Sequence, residues 1–165
     1  MLITLRRLSC LVLPMLFCGC GDGRPSMVPV TGTVTLNGEP LAGAQVGFEP
    51  QDIEGYARPS SATTDESGTF MVGTFGASDG IPEGTYRVTV QKSEIVGKIP
   101  DDYNSEEPAA NSKPLRTKLI VPSMYGDPES SGLTATVTSD GLLPETIELE
   151  GDPEFQTGGA NPNDP

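Results

Sequence analysis

Histidine and tryptophan are absent from this chain of 165 residues, and its three cysteines, Cys10, Cys18 and Cys20, all fall at the start. Without histidine there is no Ser-His-Asp or Cys-His nucleophile activation and no imidazole ligand for zinc or iron. Without tryptophan the strongest stacking platform for a sugar ring is missing, leaving Tyr56, Tyr103 and Tyr125 as the exposed candidates. Cysteines confined to one end build no disulfide framework, so stability has to come from an apolar core. Basic charge is scarce as well. Ten Lys and Arg face 23 Asp and Glu, for a net charge of −13, and no basic run occurs. Nucleic acid is therefore not an expected partner.

The first residues read as a targeting segment. "MLITLRR" is a positive start, and "LSCLVLPMLF" is an apolar run too short to span a bilayer as a stable helix. It ends in Phe17-Cys18-Gly19-Cys20, which resembles a bacterial lipoprotein signal. In such signals a small residue fits the peptidase and the following thiol carries the lipid. This predicts a signal peptide over 1–19 and lipidation at Cys20. The competing reading is an ordinary secretory signal that leaves a free thiol. Removing Arg6 and Arg7 takes the net charge from −13 to −15. Anionic headgroups repel such a chain, so the expected anchor is acyl chains on the N-terminus, and stable attachment takes more than one. The expected location is the bacterial cell envelope, on a membrane (the outer one), facing periplasm or exterior.

Residues 20–27 read as the lipidated N-terminus and a Gly/Pro tether, and 151–165, "GDPEFQTGGANPNDP", as a disordered tail with almost nothing to bury. Between them, 28–150 has period-two patterning. Val28, Val30, Val34 and Leu36 share one face of 28–36, and Thr31, Thr33 and Thr35 the other. Asn37-Gly38 predicts a hairpin turn because both residues tolerate positive φ. Pro40 lacks a donor, so pairing is expected to resume near Ala44, with Ala44, Val46 and Phe48 inward. Further strands are expected at 57–64, around Phe70 and Val72, at 82–90, 115–121 and 132–138, and at Ile147 and Leu149. Such spacing without a credible helix predicts an all-β fold, an antiparallel β-sandwich of seven to eight strands (prealbumin-like or Ig-like).

Gly32, Val34, Gly38, Pro40, Leu41, Gly43, Ala44 and Val46, followed by Thr64-Asp65-x-x-Gly68-x-Phe70 and Gly84-x-Tyr86-x-Val88-x-Val90, resemble the carboxypeptidase regulatory-like domain. More narrowly, Pro122, Tyr125, Asp127, Ser131, Gly132 and Leu133 are similar to an element of small transthyretin-like bacterial lipoproteins. The resemblance implies a seven-stranded sandwich and is silent on activity. Two enzyme families with related sandwiches, hydroxyisourate hydrolases and intradiol dioxygenases, depend on histidine, which this chain lacks.

Two irregular stretches break the alternation, 92–113 and 122–132, and loops of that kind carry binding more often than strands do. The candidate binding residues are therefore Asp101, Asp102, Tyr103 and Tyr125. Asp101, Asp102, Glu106 and Glu107 are crowded, but carboxylate catalysis needs a rigid cleft that raises one pKa, and a polar loop supplies none. Calcium on Asp65, Asp79 or the acidic loop is a weaker alternative. Asp65-Glu66-Ser67-Gly68 reads more simply as a turn whose aspartate bonds its own backbone. The expectation is a non-catalytic envelope module without cofactor or metal, structural or presenting loops to an envelope protein or a glycan. The alternatives are an accessory subunit of a secreted enzyme and a hydrolase using carboxylates alone.

Overall fold

The computed structural model of the protein describes residues 25–51, 53, 58–97 and 116–157, which are all-β apart from one short 3-10 turn at Ser123–Gly126. Cys20, Asp101, Asp102 and Tyr103 lie outside the described residues. In chain order the strands are β1 (Met27–Val28), β2 (Thr31–Leu36), β3 (Glu39–Pro40), β4 (Gln45–Gln51) and β5 (Ser60–Thr63). Next come β6 (Thr69–Met71), β7 (Ile81–Pro82), β8 (Gly84–Gln91), β9 (Ser93–Val96) and β10 (Arg116–Leu119). The last are β11 (Leu133–Thr138), β12 (Gly141–Leu143), β13 (Thr146–Leu149) and β14 (Glu154–Thr157).

Two sheets enclose the core. The larger has the order β12-β11-β8-β4-β5, and the smaller is built on β2, flanked by β13 on one edge and by β3 and β6 on the other. The inward residues are those the alternation predicts: Val34, Val46, Phe48, Phe70, Val88, Val90, Val137 and Leu149 are all fully buried. Phe48 on β4 and Phe70 on β6 meet across the two sheets with ring centroids 5.9 Å apart. Gly32 makes room for that contact, since a Cβ there would lie 2.6 Å from the Phe70 ring.

Three features differ from the sequence expectation. Asn37 (φ +53°) and Gly38 (φ +82°) do form the turn, but the returning arm is only Glu39–Pro40, and β4 belongs to the opposite sheet. The crossing at Leu41–Ala44 is held by buried Thr64. Its hydroxyl donates to Leu41 O (2.6 Å) and accepts from Ala44 N (2.8 Å). Second, β13 runs parallel to β2, so the sandwich is not wholly antiparallel. Asn37 prolongs that pairing, its side-chain amide bonding both N and O of Gly151 at 3.0 and 2.9 Å.

Third, the irregular stretch from 92 and the tail from 151 both contribute strands. β9 continues β8 past Lys92, whose single carbonyl accepts from both Ile120 N (2.8 Å) and Val121 N (3.3 Å), the bonding of a bulge at Ile120–Val121. β10 pairs with β9 on one side and β14 on the other. The tail is therefore ordered through Thr157, because strand pairing with β10 supplies what its few apolar residues do not. This three-stranded ribbon carries the ends of the 98–115 segment. At about 3.3 Å per residue, β8 alone separates the two ends by about 23 Å. The chain comes in at β1, beside β7, at the opposite end from the ribbon.

Tyr86 is the largest fully buried side chain. Its ring packs edge-on to Phe48 with centroids 6.2 Å apart, and its hydroxyl donates to Pro82 O at 2.7 Å. A tyrosine bonding back a few residues at the start of a central strand is the corner device of β-sandwiches. Tyr86→Phe leaves a buried carbonyl without its donor and is expected to lower stability by about 1–3 kcal/mol. Urea unfolding checks this as a lower midpoint with unchanged slope.

Candidate functional site

The two irregular loops that the structure describes are explained from within. In 122–132, the Tyr125 hydroxyl is bonded within the chain. It donates to Glu150 O and accepts from Glu150 N, both at 3.2 Å, closing the chain just after β13. Asp127 Oδ1 accepts from Glu129 N (2.7 Å), Asp127 O accepts from Ser131 N (2.8 Å), and Ser131 is itself buried. Between β6 and β7, the Gly73–Gly80 loop wraps around one of its own carboxylates. Asp79 accepts backbone N–H bonds from Thr74 (2.7 Å), Phe75 (3.1 Å) and Gly76 (3.0 Å).

Asp65 plays the same part in the β5–β6 turn. Its Oδ1 accepts from Ser67 Oγ (2.7 Å), Ser67 N (2.8 Å) and Thr69 N (2.9 Å). The Ser67 hydroxyl chiefly, then the Thr69 amide, hold its carboxyl below the ordinary 3.8. For Asp79 the Thr74 amide is the main cause of a shift in the same direction. Both aspartates are thus turn-builders. Among the described residues no group of three or more acidic or cysteine side chains converges as metal ligands.

Open space lies along the β5 edge of the large sheet and at the root of the ribbon. One cleft, about 720 Å³, follows the line where β5 and β6 splay apart, with Thr63, Met71 and Phe75 on its walls. The two strands are closed at both ends of this fork. Asp65 N donates to Thr69 O (2.8 Å) at one end, and Ser61 and Gly73 exchange backbone bonds of 3.1 Å at the other. Between them Thr63 faces Met71 with no ladder pair. Behind the lining residue Phe75, Arg58 places its guanidinium carbon 4.7 Å from the centre of the ring, and its Nε donates to Thr74 O (3.2 Å).

A second cleft, about 550 Å³, lies at the root of the ribbon and is lined by Gln45, Gln91, Lys92, Ser93 and Gln156 over a floor of Val90, Val121 and Pro122. Gln91 is held in place by its Nε2 donating to Gly126 O (2.9 Å). Sequence reasoning passed over both clefts, because outward Thr and Gln on strands are ordinary residues there. The only signal was the density of uncharged polar residues around 45, 63 and 91. No protein family, curated protein or solved structure matches this chain.

Because folding lowers the pKa of Asp65 and Asp79, both favour the native state above the unfolded value of 3.8. That contribution is lost as pH falls from 3.8 through their lower folded values. Thermal unfolding between pH 5 and pH 2 is expected to show a shallower acid loss for Asp65→Asn/Asp79→Asn than for the parent chain, with the parent the more stable at pH 5.

Proposed function

We propose that this chain is a non-catalytic, lipid-anchored module of the bacterial cell envelope, a β-sandwich of the transthyretin-like, carboxypeptidase regulatory-like kind. Its work is to hold a binding surface for an envelope protein or glycan away from the membrane. The observation that carries the reading is Gly19-Cys20 at the end of a short apolar run. The geometry of the folded part supports it. The chain comes in through β1 beside Ile81–Pro82, while the ribbon of β9, β10 and β14 lies at the other end of β8. An N-terminal anchor therefore presents the ribbon end outward. No helix among the described residues is long and apolar enough to cross a membrane.

Two observations support a role without catalysis. Histidine is absent, which removes the commonest general base. Asp65 and Asp79 are both shifted downward, opposite to what a general acid at neutral pH requires. Both are engaged in building turns.

Cys20→Ala is expected to move the protein from the membrane fraction to the soluble fraction and to abolish incorporation of labelled palmitate. Unchanged membrane association after the substitution would overturn the anchoring.

A further inference from the structure

The two clefts adjoin at Gln45 on β4, which lines both, and together they give a continuous track across the β5, β4 and β8 strands. In the sheet register Gln45 on β4 is flanked by Thr63 on β5 and Gln91 on β8, and all three side chains are exposed. They make a cross-strand row that repeats every ~4.8 Å, close to the length a polysaccharide gains per pyranose. The row runs from the Met71 and Phe75 end of the first cleft to the Lys92 and Gln156 end of the second.

We propose that this groove binds a neutral glycan strand. The inference deepens the envelope-module reading by naming the site and the ligand class, and it rests on that reading. Three observations select the ligand. The first is the lining, in which amide and hydroxyl side chains alternate as donors and acceptors. Among the described residues, the charged ones on its lining are Asp65, Lys92 and Asp127. Asp65 is engaged by Ser67 and Thr69, and Asp127 Oδ1 takes the Glu129 N–H. A chain of net charge −13 disfavours anionic polymers on top of this.

The second is the closed fork. An added peptide strand needs a run of free N–H and C=O groups along an edge. Here the outer edge of β5 is tied to Gly73 at Ser61, and just past β5 Asp65 is tied to Thr69. Between these two ties the ladder is open at Thr63 opposite Met71, too short a stretch for the run of backbone bonds an added strand needs. The third is the apolar contact at the β6 end. Met71 is 55% exposed and Phe75 38%, with the Phe75 ring braced by Arg58. These two side chains suit the C–H faces of sugar rings.

The test is a titration of ¹⁵N-labelled mature chain, residues 20–165, with maltohexaose, cellohexaose, xylohexaose and N-acetylglucosamine hexamer, and separately with hexagalacturonate and a capped polar heptapeptide. At least one neutral hexasaccharide is expected to shift the Gln45, Thr63 and Gln91 amides saturably. Gln45→Ala is expected to weaken that binding about tenfold without changing the circular dichroism spectrum. Met71→Glu is expected to weaken it as well. The proposal is overturned if no neutral hexasaccharide moves these amides, if hexagalacturonate or the heptapeptide binds the groove more tightly, or if both variants bind as the parent does. Membrane release by Cys20→Ala is read independently, so a silent groove on an anchored protein discards the glycan site and leaves the envelope module standing.

Discussion

The fold depends on how one polar atom is buried. Tyr86 is enclosed at the start of β8, where an unpaired hydroxyl carries a heavy desolvation cost, and the carbonyl of Pro82 four residues back meets it. That bond sets the angle at which the chain turns from β7 into the central strand. With the angle set, the Tyr86 ring lies against Phe48, Phe48 lies against Phe70, and the two sheets acquire a common aromatic centre. β8 pairs with β4 on one side and β11 on the other, and then continues past Lys92 into the ribbon. The position of every other strand in the large sheet, and of the ribbon, follows from where β8 starts.

Outside that core the chain secures its turns with single polar side chains. Thr64 clamps the crossing between sheets, Asp65 and Asp79 gather backbone amides, Asn37 imitates a peptide unit beside Gly151, and Tyr125 covers the backbone of Glu150. Each of these residues would look functional in isolation, because each presents a hydrogen-bonding group in a loop. Their partners are within the chain. With no disulfide in the folded part, such local bonds hold the loops in place, and they leave few free polar groups there for a ligand. Gln45, by contrast, is exposed on the large sheet between Thr63 and Gln91.

The strands of the two main sheets were legible because one face of each is buried, which forces alternation. Val46 and Phe48, Tyr86 to Val90, and Ala135 and Val137 all point where the period-two pattern puts them. The ribbon strands were not legible, for the same reason reversed. All four residues of β9 are exposed, so nothing selects an alternating pattern, and Ser93–Val96 reads as loop. β14 was read as tail because Glu154–Thr157 gains its order from pairing with β10, which lies 35 or more residues earlier. The Asn37-Gly38 turn was read correctly and its consequence was not. A local turn signal does not say that the chain will leave the sheet two residues later.

The sequence by itself determined the class, an all-β chain with a core of valines and a few aromatics, because burial on one face of a strand leaves a local, period-two trace. It also carried the turn chemistry, since Asn37-Gly38 and Asp65 to Gly68 act over a few residues. Only the tertiary structure decided the sheet membership of β4, the parallel pairing of β13 with β2, the ribbon, and the groove shared by Thr63, Gln45 and Gln91. Those features rest on backbone pairing and on outward side chains meeting across strands. Backbone hydrogen bonds are common to all residue types, and a solvent-facing Thr or Gln is under no constraint that its neighbours in sequence can reveal.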